Sequence, residues 1–384
     1  MINKRLHILF LSSWYPSRVI PLNGNFVQNH ARCLSKLCDI TVLHLITDPS
    51  ITEVKIDIKE DIIRECIVYM PPKKGVIRLY CFIKMYFNGF KFISEKYGKP
   101  NLLHLNITYP VGLVAVLFNI VYRIPYIITE HWSKFNNKKE DLSLVFRLIT
   151  GLVVKNAFAV CPVSQKLAIN MQQLGLYNSN YQVIGNVVDV SIFENINRTV
   201  DKDSKRITHI SNLNEQFKNP AGLMRVFFKL CEMRNDIIIN IVSDGNMQKW
   251  IDMAIKNGFY NNKMFFKGPF NQIEVANELS NSDLFVLFSD SENLPCVIIE
   301  SFACGVPVAS TNVGGIPEMV DNSRGILVNK GDEQAMIESI DYMLDNIEQY
   351  NSESIRQYAI DNFSVEAISA KYYQLYCNAL HINA

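Results

Sequence analysis

Residues 283–318 read Asp283-Leu-Phe-Val-Leu-Phe-Ser-Asp-Ser-Glu292-Asn-Leu-Pro-Cys-Val-Ile-Ile-Glu300-Ser-Phe-Ala-Cys-Gly305-Val-Pro-Val-Ala-Ser-Thr-Asn-Val-Gly314-Gly315-Ile-Pro-Glu318. The apolar run from Leu284 to Phe288 has the length and content of a buried parallel strand. It ends in Ser289-Asp290-Ser291-Glu292, the composition of a loop that leads into a helix N-terminus. Pro295 fits the first turn of that helix, where its missing N–H leaves no bond unmade. Val297, Ile298, Phe302 and Ala303 then face a core, and Gly305 stands where a C-cap is expected. A second short strand, Val306 to Ala309, precedes the Gly314-Gly315 loop. The unit is strand–loop–helix–strand, with acids and backbone amides gathered at the first strand's carboxyl end. Open α/β sheets bind their ligands at that edge.

Glu292 and Glu300 are eight positions apart, roughly two helical turns, which allows both to point to one side of the unit. Such a pair is either two solvated acids on a surface helix or an acceptor for two diols, a sugar ring and a ribose. Amides at the helix start can hold phosphate oxygens. The whole run, Glu292-Asn-Leu-Pro-Cys-Val-Ile-Ile-Glu300, Ala303-Cys-Gly-Val-Pro-Val and Gly314-Gly-Ile-Pro-Glu318, resembles the Glu-x7-Glu region of retaining, nucleotide-sugar-dependent glycosyltransferases of the GT-B fold (group 1, family 4 type). The resemblance implies an α/β chain of two Rossmann-like, doubly wound domains facing a central cleft. It places residues 1–187, with a C-terminal helix at 364–384, in an acceptor domain and 188–363 in a donor domain.

Composition agrees with two domains: 384 residues, 48% hydrophobic and 20% charged, describe a globular chain with ample core. A formal net charge of +1 gives no electrostatic footprint for nucleic acid. Nine scattered cysteines without Cys-x2-Cys spacing fit free thiols in a reducing compartment. The start, Met1-Ile-Asn-Lys-Arg-Leu-His-Ile-Leu-Phe, reads as a first strand, not a signal peptide. Apolar runs at 110–122 and 142–154 are too short or too interrupted to span a bilayer. The expected setting is cytoplasmic.

In the first half, Leu6–Leu11 and runs at 39–46, 63–70, 101–107, 125–130 and 158–163 read as strands alternating with helices, the pattern of a parallel sheet. The loop Ser12–Gly24 before a helix at 26–37 is long enough to have a task. Gly24 makes a turn there or admits a ligand close to the backbone. The resemblance implies that Gly24 and Asn25 lie beside donor phosphates and acceptor. It also implies that His131, just past the strand ending Ile127-Ile-Thr-Glu130, hydrogen-bonds the transferred sugar. Asn186 matches the family's Asn-Gly-Val-Asp turn, with Val187 where Gly is usual.

Between residues 73 and 99 seven cations (Lys73, Lys74, Arg78, Lys84, Lys91, Lys96, Lys99) face one acid, Glu95, a local net of +6 with seven aromatics interleaved. This is either a basic amphipathic helix for an anionic inner leaflet or a domain helix with aromatics inward and lysines in water. The first reading implies a peripheral membrane protein with a lipid-linked acceptor.

In the second half, a polar linker (Asn195–Arg206) precedes a strand ending in Ser211-Asn212 and the loop to Lys218-Asn-Pro220. Asp201-Lys-Asp203 superficially looks like a metal motif but reads as solvated linker. The resemblance makes Lys218 a phosphate clamp for the departing diphosphate and leaves Asn212 in the usual Arg position. It places Gly245 near the donor, Glu292 on the sugar hydroxyls, Glu300 on the ribose and the helix start at Asn293-Leu294 on the diphosphate. Helices are predicted at 331–346, 352–361 and 364–380, the last crossing back to the first domain.

The expected activity is a metal-independent hexosyltransferase that moves a sugar from a UDP- or GDP-sugar to a hydroxyl with retained configuration. The acceptor is a lipid-linked carrier or an oligosaccharide, in building a cell-surface polysaccharide such as capsule, exopolysaccharide or lipopolysaccharide. A nucleotide-sugar epimerase and a catalytically silent nucleotide-sugar-binding scaffold are the alternatives.

Overall fold

A computed structural model describes residues 5–137, 139–193 and 204–383. Asp201-Lys-Asp203 and most of the predicted linker lie outside the described residues. The chain divides into two compact units, Met1–Val187 with Val365–Ala384, and Val188–Ser364.

The first unit runs β1 (His7–Ser12), α1 (Asn25–Leu34), β2 (Asp39–Thr47), β3 (Lys55–Glu60), β4 (Arg64–Met70), α2 (Gly75–Tyr97), β5 (Leu102–Asn106), α3 (Gly112–Tyr122), β6 (Tyr126–Glu130), α4 (Leu144–Asn156), β7 (Ala159–Pro162) and α5 (Gln165–Gln173). Its sheet order is β3-β4-β2-β1-β5-β6-β7, parallel except for the antiparallel β3–β4 edge pair. The inner strands are continuous apolar runs because both faces are covered. Val42 packs with Val27 and Leu34 of α1. Its neighbour Leu43 points the other way, against Gly89 of α2, where a Cβ would collide with the leucine methyls. Helices therefore lie on both faces.

The second unit runs β8 (Lys205–Ile210), α6 (Pro220–Met233), β9 (Ile237–Val242), α7 (Gln248–Lys256), β10 (Met264–Lys267), α8 (Gln272–Ser280), β11 (Leu284–Leu287), α9 (Cys296–Ala303), β12 (Val308–Thr311), β13 (Gly325–Val328), α10 (Glu333–Asp345) and α11 (Ser352–Phe363). Its sheet is parallel throughout, in the order β10-β9-β8-β11-β12-β13. Leu223 and Phe227 of α6 share a core with Met336 and Ile340 of α10 over Ile239, Ile241 and Val286. Each such side chain, fully buried, contributes roughly 1.5–3 kcal/mol. The last helix, α12 (Val365–Leu380), returns to the first unit and packs on α1, with Ile368, Tyr372 and Tyr376 buried.

Three local readings are corrected. β3 was not expected: Ile56 and Ile58 are about half exposed, so no buried face marks the strand. The strand after α9 is Val308–Thr311, not Val306–Ala309, because the amide of Val306 is held by Ser301 O at the helix end. Pro295 is the N-cap of α9 with an extended backbone (φ −68°, ψ 121°) and lies outside its first turn. Glu292 thus sits in the loop before the helix, and the two-turn spacing to Glu300 does not apply.

On α2 the domain-helix reading of 73–99 holds for one half only. Its second half is a domain helix: Tyr86, Phe90 and Ile93 are buried, Phe90 stacks on Tyr122 at 4.3 Å, and Lys96 pairs with Glu60 at 2.6 Å. Its first turns, Gly75 to Tyr80, are exposed. Among the described residues no helix is long and apolar enough to cross a membrane.

Candidate functional site

Parallel pairing in the second unit brings four strand ends to one edge. Ile210 aligns with Val242, and Leu287 with Ser310. The loops that follow β8, β9, β11 and β12 therefore meet there, and they carry most of the expected donor residues.

After β8, His209 is fully buried, with Nδ1 2.8 Å from Val286 O and Nε2 2.7 Å from Ser211 Oγ. Burial pushes its pKa down to about 4, so the ring is neutral. Nδ1–H then donates to the carbonyl, Nε2 accepts from Ser211, and Ser211 Oγ accepts the amide of Leu213 at 3.1 Å. Asn212 is exposed and its Oδ1 accepts the amide of Asn214 at 3.2 Å, closing a small turn. The loop ends where the amide of Asp290 bonds Phe217 O at 2.7 Å, tying it to the segment after β11. That tie sets Lys218 beside Glu292. The ammonium donates to Glu292 Oε1, which also accepts from Ser289 Oγ at 2.8 Å.

Gly245 lies against this turn: a Cβ there would overlap Asn212 O. Gly314 lies against Glu292, with φ +58° and no space for a Cβ beside the carbonyl oxygen of Glu292. The amide of Gly315 donates to Asn293 O at 2.6 Å, and Thr311 Oγ1 to Ser289 O at 2.7 Å. Close backbone packing, which only glycine permits, holds the loop of Glu292 in place. Leu294 is buried and Asn293 half-buried. The first-turn amides of α9 belong to Cys296 and Val297, past the Asn293-Leu294 pair named for the diphosphate. Glu300 is on α9, one helical turn in and partly open to solvent, and burial pushes its carboxyl up to about 7.

The first unit gathers the others. Gly24 is the N-cap of α1 at φ +76°, and a Cβ there would strike Trp14 O, so the loop requires glycine on packing grounds alone. Asn25 is exposed beside it. The next residue, Phe26, lies 4.4 Å from the His131 ring, so α1's start and His131 meet. His131 is buried, hydrogen-bonds Asn186, and is held well below the usual histidine range by burial and by His30 and His104.

What orients His131 was not read from the sequence. Glu130 is fully buried, and its carboxylate accepts the amides of Thr108 (2.8 Å), His131 (2.9 Å) and Trp132 (2.9 Å). The available signal was an acid ending an otherwise apolar strand. Behind it, His104 bonds Tyr376 OH and Thr129 Oγ1, each at 2.6 Å, and Thr129 bonds Tyr372 OH at 2.7 Å. Two tyrosines of α12 thus anchor the strands that carry His131. Among the described residues no group of three or more His, Cys, Asp or Glu is placed to hold a metal.

Residues 192–361 match the family model of glycosyl transferases group 1, and residues 24–192 that of glycosyltransferase family 4. The N-acetyl-alpha-D-glucosaminyl L-malate synthase of Bacillus anthracis is 27% identical over 292 residues, 73% of this chain and 75% of the relative. The putative teichuronic acid biosynthesis glycosyltransferase TuaC of Bacillus subtilis is 27% identical over 353 residues, 87% of this chain and 88% of the relative. The structure of Anabaena HepE in complex with UDP matches with a TM-score of 0.73 at 16% identity, covering 97% of this chain and 100% of that one. At that identity the likeness concerns the fold alone. With both units covered by these models, the chain belongs to the glycosyl transferases group 1, enzymes of the GT-B fold.

Proposed function

We propose that this enzyme moves a sugar from a nucleoside diphosphate sugar to an acceptor hydroxyl with retained anomeric configuration, in the assembly of a cell-surface polysaccharide. The observation that carries the reading is the convergence of Lys218, Glu292, Gly245 and Gly314 at the carboxyl edge of the second unit's sheet. Lys218 and the first amides of α9 meet the charge of the departing diphosphate, the term that matters most for such a leaving group. No metal is given a role. Glu300 accepts the ribose hydroxyls and Glu292 those of the sugar. His131, neutral and buried, supports the transferred sugar from the first unit. The complexes of HepE with UDP and UDP-glucose support a nucleotide-sugar donor, and the name of TuaC supports a polysaccharide product. The acceptor is lipid-linked or an oligosaccharide, met at the inner membrane face through the exposed start of α2.

Calorimetry with UDP, GDP and their common sugars tests the reading. One nucleotide series should bind, at least tenfold more weakly to Glu300→Ala. Absence of binding to every donor would overturn it, as would an altered sugar formed without acceptor, the mark of an epimerase.

A further inference from the structure

Beside the exposed start of α2, a second helix leaves apolar side chains in solvent. α4 carries Leu144, Val145 and Leu148, each 64% exposed, and Leu152, 47% exposed. Positions 144 and 148, and 145, 149 and 152, follow helical spacing, so they form one aliphatic stripe. Across from it the first turns of α2 expose Val76 (83%), Ile77 (64%) and Tyr80 (63%). Between the two helices lies a cavity of about 300 Å3, lined by Leu79, Phe82 and Ile83 of α2, Leu113 and Val114 of α3 and Ile149 of α4. All of these residues belong to the first unit.

Packing in water does not explain this surface. The second half of α2 buries Tyr86, Phe90 and Ile93, as a domain helix should, while its first half and α4 leave comparable side chains in solvent. On α4, and on α2 up to residue 94, the charged residues are all cations. Lys73, Lys74, Arg78 and Lys84 flank the α2 part, and the half-buried Arg147 borders the α4 stripe. No acid occurs from residue 73 to 94 or from 142 to 156; Glu140 and Asp141 stand just before α4. Long-stemmed cations beside aliphatic side chains suit a boundary between hydrocarbon and anionic headgroups, where stems stay apolar and charges reach phosphate.

We propose that the α4 stripe and the cavity beside it enter the hydrocarbon of an anionic phospholipid bilayer, while Lys73, Lys74, Arg78 and Lys84 hold its headgroups. This extends the reading of α2 as membrane-facing and rests on it. It moves the inserting part to α4.

Vesicle flotation of the full chain tests both, with phosphatidylglycerol–phosphatidylcholine against pure phosphatidylcholine. Wild type should bind the anionic vesicles, release them as salt rises, and ignore the neutral ones. Neutralising Lys73, Lys74, Arg78 and Lys84 to Gln should lower partitioning by about fivefold per charge. Leu144→Ser/Val145→Ser/Leu148→Ser should lower it at least tenfold at low salt, with donor binding unchanged as proof of folding. If the charge variant loses vesicles and the α4 variant keeps them, the α4 proposal is overturned and the α2 contact stands. No binding to anionic vesicles overturns both. A concentration-dependent dimer in sedimentation velocity, abolished by the α4 variant, overturns the bilayer in favour of a second copy.

Discussion

The ammonium of Lys218 is paired with the carboxylate of Glu292, so the cation assigned to the diphosphate is held by the acid assigned to the sugar. The two side chains are largely buried, 20% and 9% exposed. In the function proposed above, a bound donor shares or replaces this contact, so charge on the leaving group is linked to the orientation of the sugar.

Lys218→Ala should therefore lower kcat/KM by about 10²–10³-fold, the usual loss when a charge-stabilising group is removed. It also leaves the buried Glu292 carboxylate without its cation, with the Ser289 hydroxyl still donating to it. The expected destabilisation is about 2 kcal/mol, below the ~3–5 kcal/mol of a fully buried pair because Lys218 reaches solvent. Adding Glu292→Gln should restore the thermal midpoint but not turnover. Thermal unfolding and nucleotide-release kinetics on the single and double variants check the prediction.

Glu300 gives a second expectation. Its carboxyl is raised to about 7 in the fold, against 4.5 in the unfolded chain. The native state binds the extra proton between those values, so the stability it contributes is present below about 4.5 and is lost as pH rises through about 7. With Glu300 on the ribose as proposed, the hydroxyls donate to its ionised form, so nucleotide affinity should run the other way and rise about tenfold from pH 6 to 8. Calorimetry across that range should show the rise for wild type and a flat profile for Glu300→Gln.

Gly314 and Gly331 separate packing from backbone strain. Both have positive φ, +58° and +76°, but only at Gly314 would a Cβ overlap protein, at the carbonyl of Glu292. Gly331→Ala should cost about 1 kcal/mol and leave donor affinity alone. Gly314→Ala should cost more and weaken donor binding at least tenfold by displacing the loop of Glu292. Melting curves and calorimetry on the two variants provide the comparison.

Five histidines, His30, His44, His104, His131 and His209, are buried with pKa values pushed down by burial, His44 and His209 to about 4. In the unfolded chain they take up protons near 6.5. Their contribution to stability is present above that value and is lost as pH falls, so thermal midpoints should drop steadily from pH 7 to 5. Because His131 stays neutral throughout, His131→Ala should reduce kcat at all pH values without removing a limb of the rate profile.

The strand–loop–helix–strand unit at 283–318 and the alternation that makes two parallel sheets could be read from the residues alone. Those signals are local: apolar runs, glycine at turns and a proline before a helix report on their own few residues. Gly24 and Gly314 were legible as special positions for the same reason, whereas Gly245 was singled out by the family resemblance. Which backbone each must avoid was not legible.

Tertiary structure alone decided the pairing of Lys218 with Glu292, 74 residues apart, because it depends on how β8 and β11 align and on the Asp290–Phe217 bond between their loops. It decided that Glu292 precedes α9, that Glu130 caps the turn of His131, and that two tyrosines of α12 support β5 and β6 from the far end of the chain. It also divided α2 into a packed half and an exposed half and set the α4 stripe beside the latter. Periodicity shows that a helix has an apolar face; whether protein covers that face is settled by neighbours distant in sequence.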